Sequence, residues 1–225
     1  MIIHVLTIFP EFYDEFIKTS IVKRAIRDEH VKIHIHDLRD YAHNKHKQID
    51  DTPYGGGVGM LMQFPPIHDA VMALKDENTK VYLLSPQGSI YTQSTANHMA
   101  QIKKIILICG HYEGVDARVE NMIDGEISIG DVVLTNGDIG AMLVMDSVIR
   151  LLPDVIQEAS VKEDSLYDGY LKHPQYTKPE SYAGYDVPEV LLSGHHANIK
   201  AWREAKKIEV TQKKRPDLLK ETKSK

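Results

Sequence analysis

Short continuous apolar runs alternate along the chain with segments whose apolar residues recur at helical spacing. Met1 to Phe9 reads as a buried strand, and after Pro10 the residues Phe12, Phe16, Ile21, Val22, Ala25 and Ile26 are spaced for one face of a helix. Val31 to Asp37 (VKIHIHD) alternates as a half-exposed strand does. Pro66 to Lys75 predicts a short helix, Lys80 to Leu84 a strand stopped by Ser85-Pro86-Gln87-Gly88, and Thr92 to Gln101 another helix. Ile105 to Cys109 is wholly apolar, as a central parallel strand is, and runs into Gly110-His111-Tyr112-Glu113-Gly114.

The stretch Glu126 to Arg150 organises the rest. Ile127, Ile129, Val132, Val133 and Leu134 predict a strand interrupted at Gly130, Asn136-Gly137 is a turn dipeptide, and Ile139 to Leu152 is apolar on every face, which predicts a buried helix. Three strands, ending near Leu84, Cys109 and Leu134, thus run into turns of small residues. In a parallel α/β sheet such ends lie side by side on one edge, where a ligand can approach bare backbone. The alternative for any one turn is a tight connection with no ligand.

Other chemistry-bearing residues have plainer readings. Cys109 closes an apolar run and reads as a buried thiol rather than a nucleophile. Glu113 and Asp116 are expected to open a helix, where the dipole favours acids, and Asp146 and Arg150 are spaced to pair. His34 and His36 share a strand face, but no third metal ligand sits at a recognisable spacing. Arg39 to Asp51 is an aperiodic basic and His-rich loop, followed by the glycine-dense Pro53 to Gly59 (PYGGGVG). A P-loop would continue as Gly-Lys-Ser/Thr, and here Met60-Leu61-Met62 follows, which argues against an NTPase.

After Pro153 the pattern loosens. Glu158 to Tyr176 reads as a linker or active-site loop carrying Glu163, Asp164 and Asp168. Beyond it Ser193 is expected to cap a helix with Ile199, Trp202 and Ala205 on one face, and Pro216 to open a last basic helix.

Composition refines this picture in two ways. At 225 residues, 42% hydrophobic and 26% charged, with no apolar run of spanning length, the chain reads as a globular protein without a membrane segment. Its single cysteine excludes an internal disulfide and suits a reducing cytoplasm, and the apolar start lacks the basic region of a signal peptide. The net charge of -5 hides an asymmetry, because Lys200 to Lys225 holds ten Lys and Arg against four Asp and Glu. A basic end on an acidic body suggests a polyanionic partner, with a solvated helix pair as the bland alternative.

Phe9-Pro10-Glu11, Asp50 to Met60 (DDTPYGGGVGM), Ser85 to Gly88 (SPQG), Cys109 to Gly114 (CGHYEG), Ser128 to Asp131 (SIGD), Glu163 to Ser165 (EDS) and Val187 to Trp202 (VPEVLLSGHHANIKAW) together resemble the bacterial tRNA (guanine-N1)-methyltransferases, the TrmD family. Each motif is weak alone; their order and spacing are specific. The resemblance implies an α/β methyltransferase of the SPOUT type with a deep trefoil knot over 1–158, a linker and active-site loop over 159–176, and a small basic helical tRNA-binding domain over 177–225. It implies a cytoplasmic homodimer with shared active sites, S-adenosylmethionine as methyl donor, and Mg²⁺ with no ligands assigned. By motif position, Leu83, Leu84, Ser85, Pro86, Gly110, Tyr112, Glu113, Gly114, Ser128, Ile129, Gly130, Leu134, Asn136, Gly137 and Gly140 would contact the cofactor. Asp50, Gly59, Lys200 and Arg203 would meet the anticodon stem-loop of tRNA.

The family reaction is methylation of N1 of the guanosine just 3′ of the anticodon. N1 must lose its proton to become nucleophilic, so a base and a group that holds charge on O6 are needed; the resemblance gives these roles to Asp164 and Arg150. The chain departs from the family pattern at Val58, Val132, Asn136-Gly137-Asp138 and Gly140, where proline, tyrosine, Gly-Gly-Glu and proline are common. Two rivals are a nicotinamide oxidoreductase, which lacks its G-x-G-x-x-G fingerprint here, and a non-catalytic RNA-binding protein, supported only by the basic end.

Overall fold

A computed structural model describes residues 1–221. It divides the chain into two compact units, Met1–Ile156 and Gln157–Lys225. In chain order the first holds β1 (Ile2–Thr7), α1 (Ser20–Arg27), β2 (Lys32–Asp37), the two-residue strands β3 (Asp50–Asp51) and β4 (Leu61–Met62), α2 (Phe64–Leu74), β5 (Thr79–Ile90), α3 (Gln93–Met99), β6 (Lys104–Cys109), β7 (Gly125–Ser128) and α4 (Asp138–Ile149). Five strands form one wholly parallel sheet in the order β2-β1-β6-β5-β7, and β3 and β4 pair antiparallel apart from it.

The apolar run of β6 lies at the centre of this sheet, where both faces are covered. Because side chains alternate across a strand, Ile105, Leu107 and Cys109 join Ile3 and Val5 against α1, α3 and α4. Ile106 and Ile108 join Leu6, Val81 and Leu83 against Ile67, Ala70 and Val71 of α2 on the other face. The result is three layers, with the carboxyl ends of β5, β6 and β7 brought together on one edge.

Three expectations about element boundaries are corrected. The helix after Pro10 is broken into a 3-10 turn, Pro10–Tyr13, and α1, which begins only at Ser20. Thr19 donates its hydroxyl to the Glu15 carbonyl (2.6 Å) and Ser20 has φ +48°, so side-chain hydrogen bonding turns the chain between them. Instead of stopping at Ser85, β5 shifts register between Leu84 and Ser89, and Ser89 and Ile90 pair with Ile127 and Ser128. The strand expected to reach Leu134 ends at Ser128. There the Ser128 hydroxyl bonds the backbone of Gly130, whose φ is +137°, and the Val132 N–H donates back to the Gly130 carbonyl (2.8 Å). Val132 and Val133 are left exposed, at 53% and 89%.

The second unit contains α5 (Glu158–Lys162), a hairpin of β8 (Ser181–Tyr182) and β9 (Tyr185–Asp186), α6 (Glu189–Leu192), α7 (His196–Lys214) and α8 (Leu218–Glu221). The segment read as a linker therefore opens with a helical turn, braced by Lys162–Glu158 at 2.6 Å. Ser193 closes α6 rather than capping α7; its hydroxyl donates to Val190 and accepts from the His195 N–H. Trp202 of α7 packs against His173 and Tyr176, and buried Thr211 accepts from the Leu171 N–H (2.9 Å). Ile199 and Trp202 are half-buried as expected, whereas Ala205 is exposed. Among the described residues no helix is long and apolar enough to cross a membrane.

Candidate functional site

The edge of the sheet encloses a cavity of about 380 Å³ in the first unit. Of the residues expected at a cofactor, all but Gly130 line it: Leu83, Leu84, Ser85, Pro86, Gly110, Tyr112, Glu113, Gly114, Ser128, Ile129, Leu134, Asn136, Gly137 and Gly140. Gly130 is instead the bend behind the wall, its N–H donating to Ser128 Oγ at 3.2 Å. Two of the turns are tied to each other, and one of them to the segment that follows the glycine run. The Gly137 N–H donates to the Gly110 carbonyl (2.8 Å), His111 bridges Asn136, and the Glu113 N–H donates to the Met60 carbonyl (3.0 Å).

Close packing explains why glycine is required at two of these places. A Cβ on Gly137 would lie 2.9 Å from Cys109 Cα and 3.0 Å from the Gly110 nitrogen, and one on Gly88 would lie 2.4 Å from the Glu126 carbonyl carbon. Tyr112 holds a positive φ of +58° without being glycine, a strained backbone of the kind found at functional sites.

Behind the wall lies a buried polar network. Asp138, 1% exposed in the first turn of α4, accepts the Tyr13 hydroxyl at 2.7 Å, and that hydroxyl is 3.4 Å from Cys109 Sγ. Burial pushes the Tyr13 hydroxyl well above the usual phenol range, with Cys109 and Asp138 adding to the shift. Burial likewise raises the Cys109 thiol, so it is the inert strand cysteine expected. Asn136 Oδ1 accepts the Asp138 N–H (3.0 Å) in the turn that precedes α4. Asp116 caps a 3-10 helix, Ala117–Asn121, while Glu113 lies in the preceding turn rather than opening a helix.

Sequence reasoning missed several lining residues. Gln87 and His111 lie inside the turns already singled out, but Glu120 and Glu126 do not. With Glu113 they give the cavity three carboxylates, and no lysine or arginine lines it. Glu126 Oε2 is buried without a hydrogen-bond partner among the described residues. Glu126 opens the organising stretch Glu126 to Arg150, but no pattern along the sequence singles out its side chain.

The remaining expected residues are spread over both units. Asp50 lies in β3 with its carbonyl held by Gln48 and Gln63, and Gly59 (φ +85°) packs directly on the Glu113 side chain. Arg150 is the residue that ends α4, directly after buried Ile149, and is half-buried. In the second unit Asp164 follows α5, its N–H donating to the Val161 carbonyl (3.2 Å); Glu163 lies 3.8 Å from Lys172, and Asp168 pairs with Lys207. Lys200 and Arg203 are both exposed on α7. His34 and His36 gain a third imidazole from β1, since His4 Nδ1 is 2.9 Å from His36 Nε2 and its ring stacks on His34. Among the described residues, however, no three His, Cys, Asp or Glu side chains are grouped to hold a metal ion.

A parallel sheet whose strand ends and glycine turns wall a cavity with bare backbone defines a cofactor-binding α/β protein. The family profile of tRNA (Guanine-1)-methyltransferase TrmD matches residues 1–221. The chain belongs to that family. It is similar to the tRNA (guanine-N(1)-)-methyltransferase of Acholeplasma laidlawii, 56% identical over 220 residues, covering 97% of this chain and 90% of that protein. It is also similar to the proteins of the same name from Onion yellows phytoplasma, 54% identical with 97% and 91% covered, and Caldanaerobacter subterraneus subsp. tengcongensis, 50% identical with 98% and 92% covered. Neither a nicotinamide oxidoreductase nor a non-catalytic RNA-binding protein finds support among them.

Proposed function

We propose that this protein transfers a methyl group to N1 of the guanosine just 3′ of the anticodon of tRNA. The observation that carries the reading is the convergence of separate sequence motifs, within a TrmD family chain, on one cavity at the carboxyl edge of a parallel sheet. S-adenosylmethionine supplies the methyl group, and the residues fit it. Gly110 presents bare backbone where a Cβ would meet nothing closer than 3.7 Å, and the acidic lining suits a cationic ligand. Asp164 takes the proton from guanine N1, and Arg150 holds the charge that then develops on O6. Asp50, Gly59, Lys200 and Arg203 bear on the RNA. Mg²⁺ finds no ligand set among the described residues of one chain, and no residue is assigned to it.

The working unit in this reading is a cytoplasmic homodimer with a deep trefoil knot in its main domain. Support for a second copy comes from α4, expected to be buried all round but leaving Ile139 and Leu143, one turn apart, 45% and 42% exposed beside the bare Val132 and Val133. Support for the knot comes from the path after β7. The chain leaves the sheet edge, bonds back at Gly110 and returns to pack α4 against β6 and α3. The test is radiolabelled methyl transfer to tRNA transcripts carrying G or A at the target position. Label is expected in N1-methylguanine with the G transcript alone; label in both, or in neither, defeats the proposal.

A further inference from the structure

Thr211 is fully buried in α7, and its hydroxyl works in both directions: it donates to the Lys207 carbonyl one turn back (2.7 Å) and accepts the Leu171 N–H (2.9 Å). Back-bonding of this kind does not strengthen a helix, so the hydroxyl is explained by the segment it holds. That segment is the loop that begins at Asp164, whose carbonyl accepts the Tyr167 N–H (3.3 Å). The loop then closes on itself, with the Leu166 N–H on the Tyr170 carbonyl (2.6 Å) and the Lys172 N–H on Ser165 Oγ (2.9 Å). Leu166 holds a φ of +73°, a strained conformation that its surroundings must maintain. One helical turn before Thr211, Lys207 pairs with Asp168 and lies over the Tyr170 ring, 5.2 Å from its centre. Two residues of α7 thus clip the closed loop at Asp168, Tyr170 and Leu171.

Lys200, Arg203, Lys207 and Thr211 follow one another at steps of three, four and four residues, which sets them along one stripe of α7. Lys200 and Arg203 are exposed, Lys207 is half-buried and Thr211 is buried, so the stripe leads from solvent to the clipped loop. We propose that Thr211 and Lys207 are positioning residues, which fix the loop beginning at Asp164 to the helix stripe that meets the tRNA; this rests on the reading of Asp164 as the base and of α7 as RNA-binding. A general base must stand within hydrogen-bond reach of the proton it takes, and a misplacement of about 1 Å can cost about a hundredfold in rate. A closed loop clipped at two points to one helix meets that demand, where an untethered linker does not.

The test is single-turnover methyl transfer by the full chain at saturating tRNA and S-adenosylmethionine, with the affinity for each measured separately. Thr211→Val keeps the shape and removes the acceptor of the Leu171 N–H. It is expected to slow transfer about tenfold or more while both affinities stay at wild-type values, and Thr211→Ser, which keeps the hydroxyl, is expected to restore the rate. The decisive readout is the same substitution made in an Asp164→Asn chain. With no base left to position, Thr211→Val should slow that chain no further, whereas general damage to the second unit slows both chains alike. Should Thr211→Val fold poorly, Lys207→Met removes the pairing with Asp168, keeps the apolar stem and carries the same expectations. Wild-type transfer by Thr211→Val beside a slow Asp164→Asn overturns the positioning role alone, as does an equal loss in the two backgrounds or a loss seen only in tRNA affinity. Wild-type transfer by Asp164→Asn instead removes the reading of Asp164 as the base, and the proposal with it.

Discussion

Alanine at Gly137 and at Gly110 separates two reasons for a glycine in a binding turn. Gly137 has φ -79° and ψ -8°, a conformation alanine adopts freely, so no backbone strain arises. The new methyl would instead sit 2.9 Å from Cys109 Cα, 3.0 Å from the Gly110 nitrogen and 3.1 Å from Leu84 Cβ. Two of these are main-chain atoms at the end of the central strand and cannot rotate away, so α4 and β6 must part. Overpacking of this kind costs about 1–3 kcal/mol, against a gain of about 0.4–1 kcal/mol from a less flexible unfolded chain. A net loss on the order of 1–2 kcal/mol lowers the melting temperature by about 2–4 °C per kcal/mol in a protein of this size.

At Gly110 the nearest neighbours of a Cβ are Leu84 O and Val115 Cγ1, both at an ordinary 3.7 Å, so Gly110→Ala should melt as wild type does. It should nevertheless bind S-adenosylmethionine more weakly if the cofactor approaches that backbone. Differential scanning calorimetry and titration of both variants measure the two effects independently. If Gly137→Ala keeps the wild-type melting temperature, the steric argument is wrong. If Gly110→Ala keeps the wild-type affinity, the ligand does not lie against that turn.

Burial, followed by the His36, His34 and Lys104 charges, depresses the His4 pKa to about 4. Because its folded value lies below the unfolded value of 6.5, the unfolded chain binds the proton first; stability is full above about pH 6.5 and falls as pH drops toward 4, by at most about 3 kcal/mol. Urea titrations of His4→Gln should lack that part of the slope, and an unaltered slope would refute it. Asp164→Asn should keep cofactor and tRNA binding while single-turnover transfer falls about a hundredfold or more; wild-type rates near neutral pH would move the role of base elsewhere. The fragment Met1–Ile156 contains every residue lining the cavity, so it should bind S-adenosylmethionine and lose salt-dependent tRNA binding. Filter binding that shows unchanged tRNA affinity in the fragment would contradict this.

The parallel sheet was legible wherever a strand is buried on both faces. Ile105 to Cys109 is such a run, and the structure puts it at the sheet centre. Periodicity failed where local hydrogen bonds outweigh it. Val132, Val133 and Leu134 have strand-forming side chains, but the Ser128–Gly130 bonds turn the chain away before they can pair. It failed again after Pro10, where six apolar positions fit one helical face although Thr19 and Ser20 break the backbone between them. His4 joined His34 and His36 only through the parallel register of β1 and β2, which sets His4 opposite His34. No spacing along the chain expresses that neighbourhood.

The departures from the family pattern at Asn136-Gly137-Asp138 show why the cavity was readable despite them. Only the middle position is fixed by close approach of main chain, and there the glycine is retained. The flanking positions serve through hydrogen bonds that different side chains can make. Asn136 accepts the Asp138 N–H in the turn before the helix, and the Asp138 carboxylate accepts the Tyr13 hydroxyl at 2.7 Å, so the buried acid keeps a partner. An acid one methylene longer would have to find that partner from a different place, which makes Tyr13 and Asp138 a coupled pair. Tyr13→Phe alone leaves a buried carboxylate with one donor fewer and should cost about 1–3 kcal/mol, whereas Tyr13→Phe with Asp138→Asn should cost less than the sum of the two single changes. Additive losses in that double-mutant cycle would mean that the two side chains hold the helix start independently.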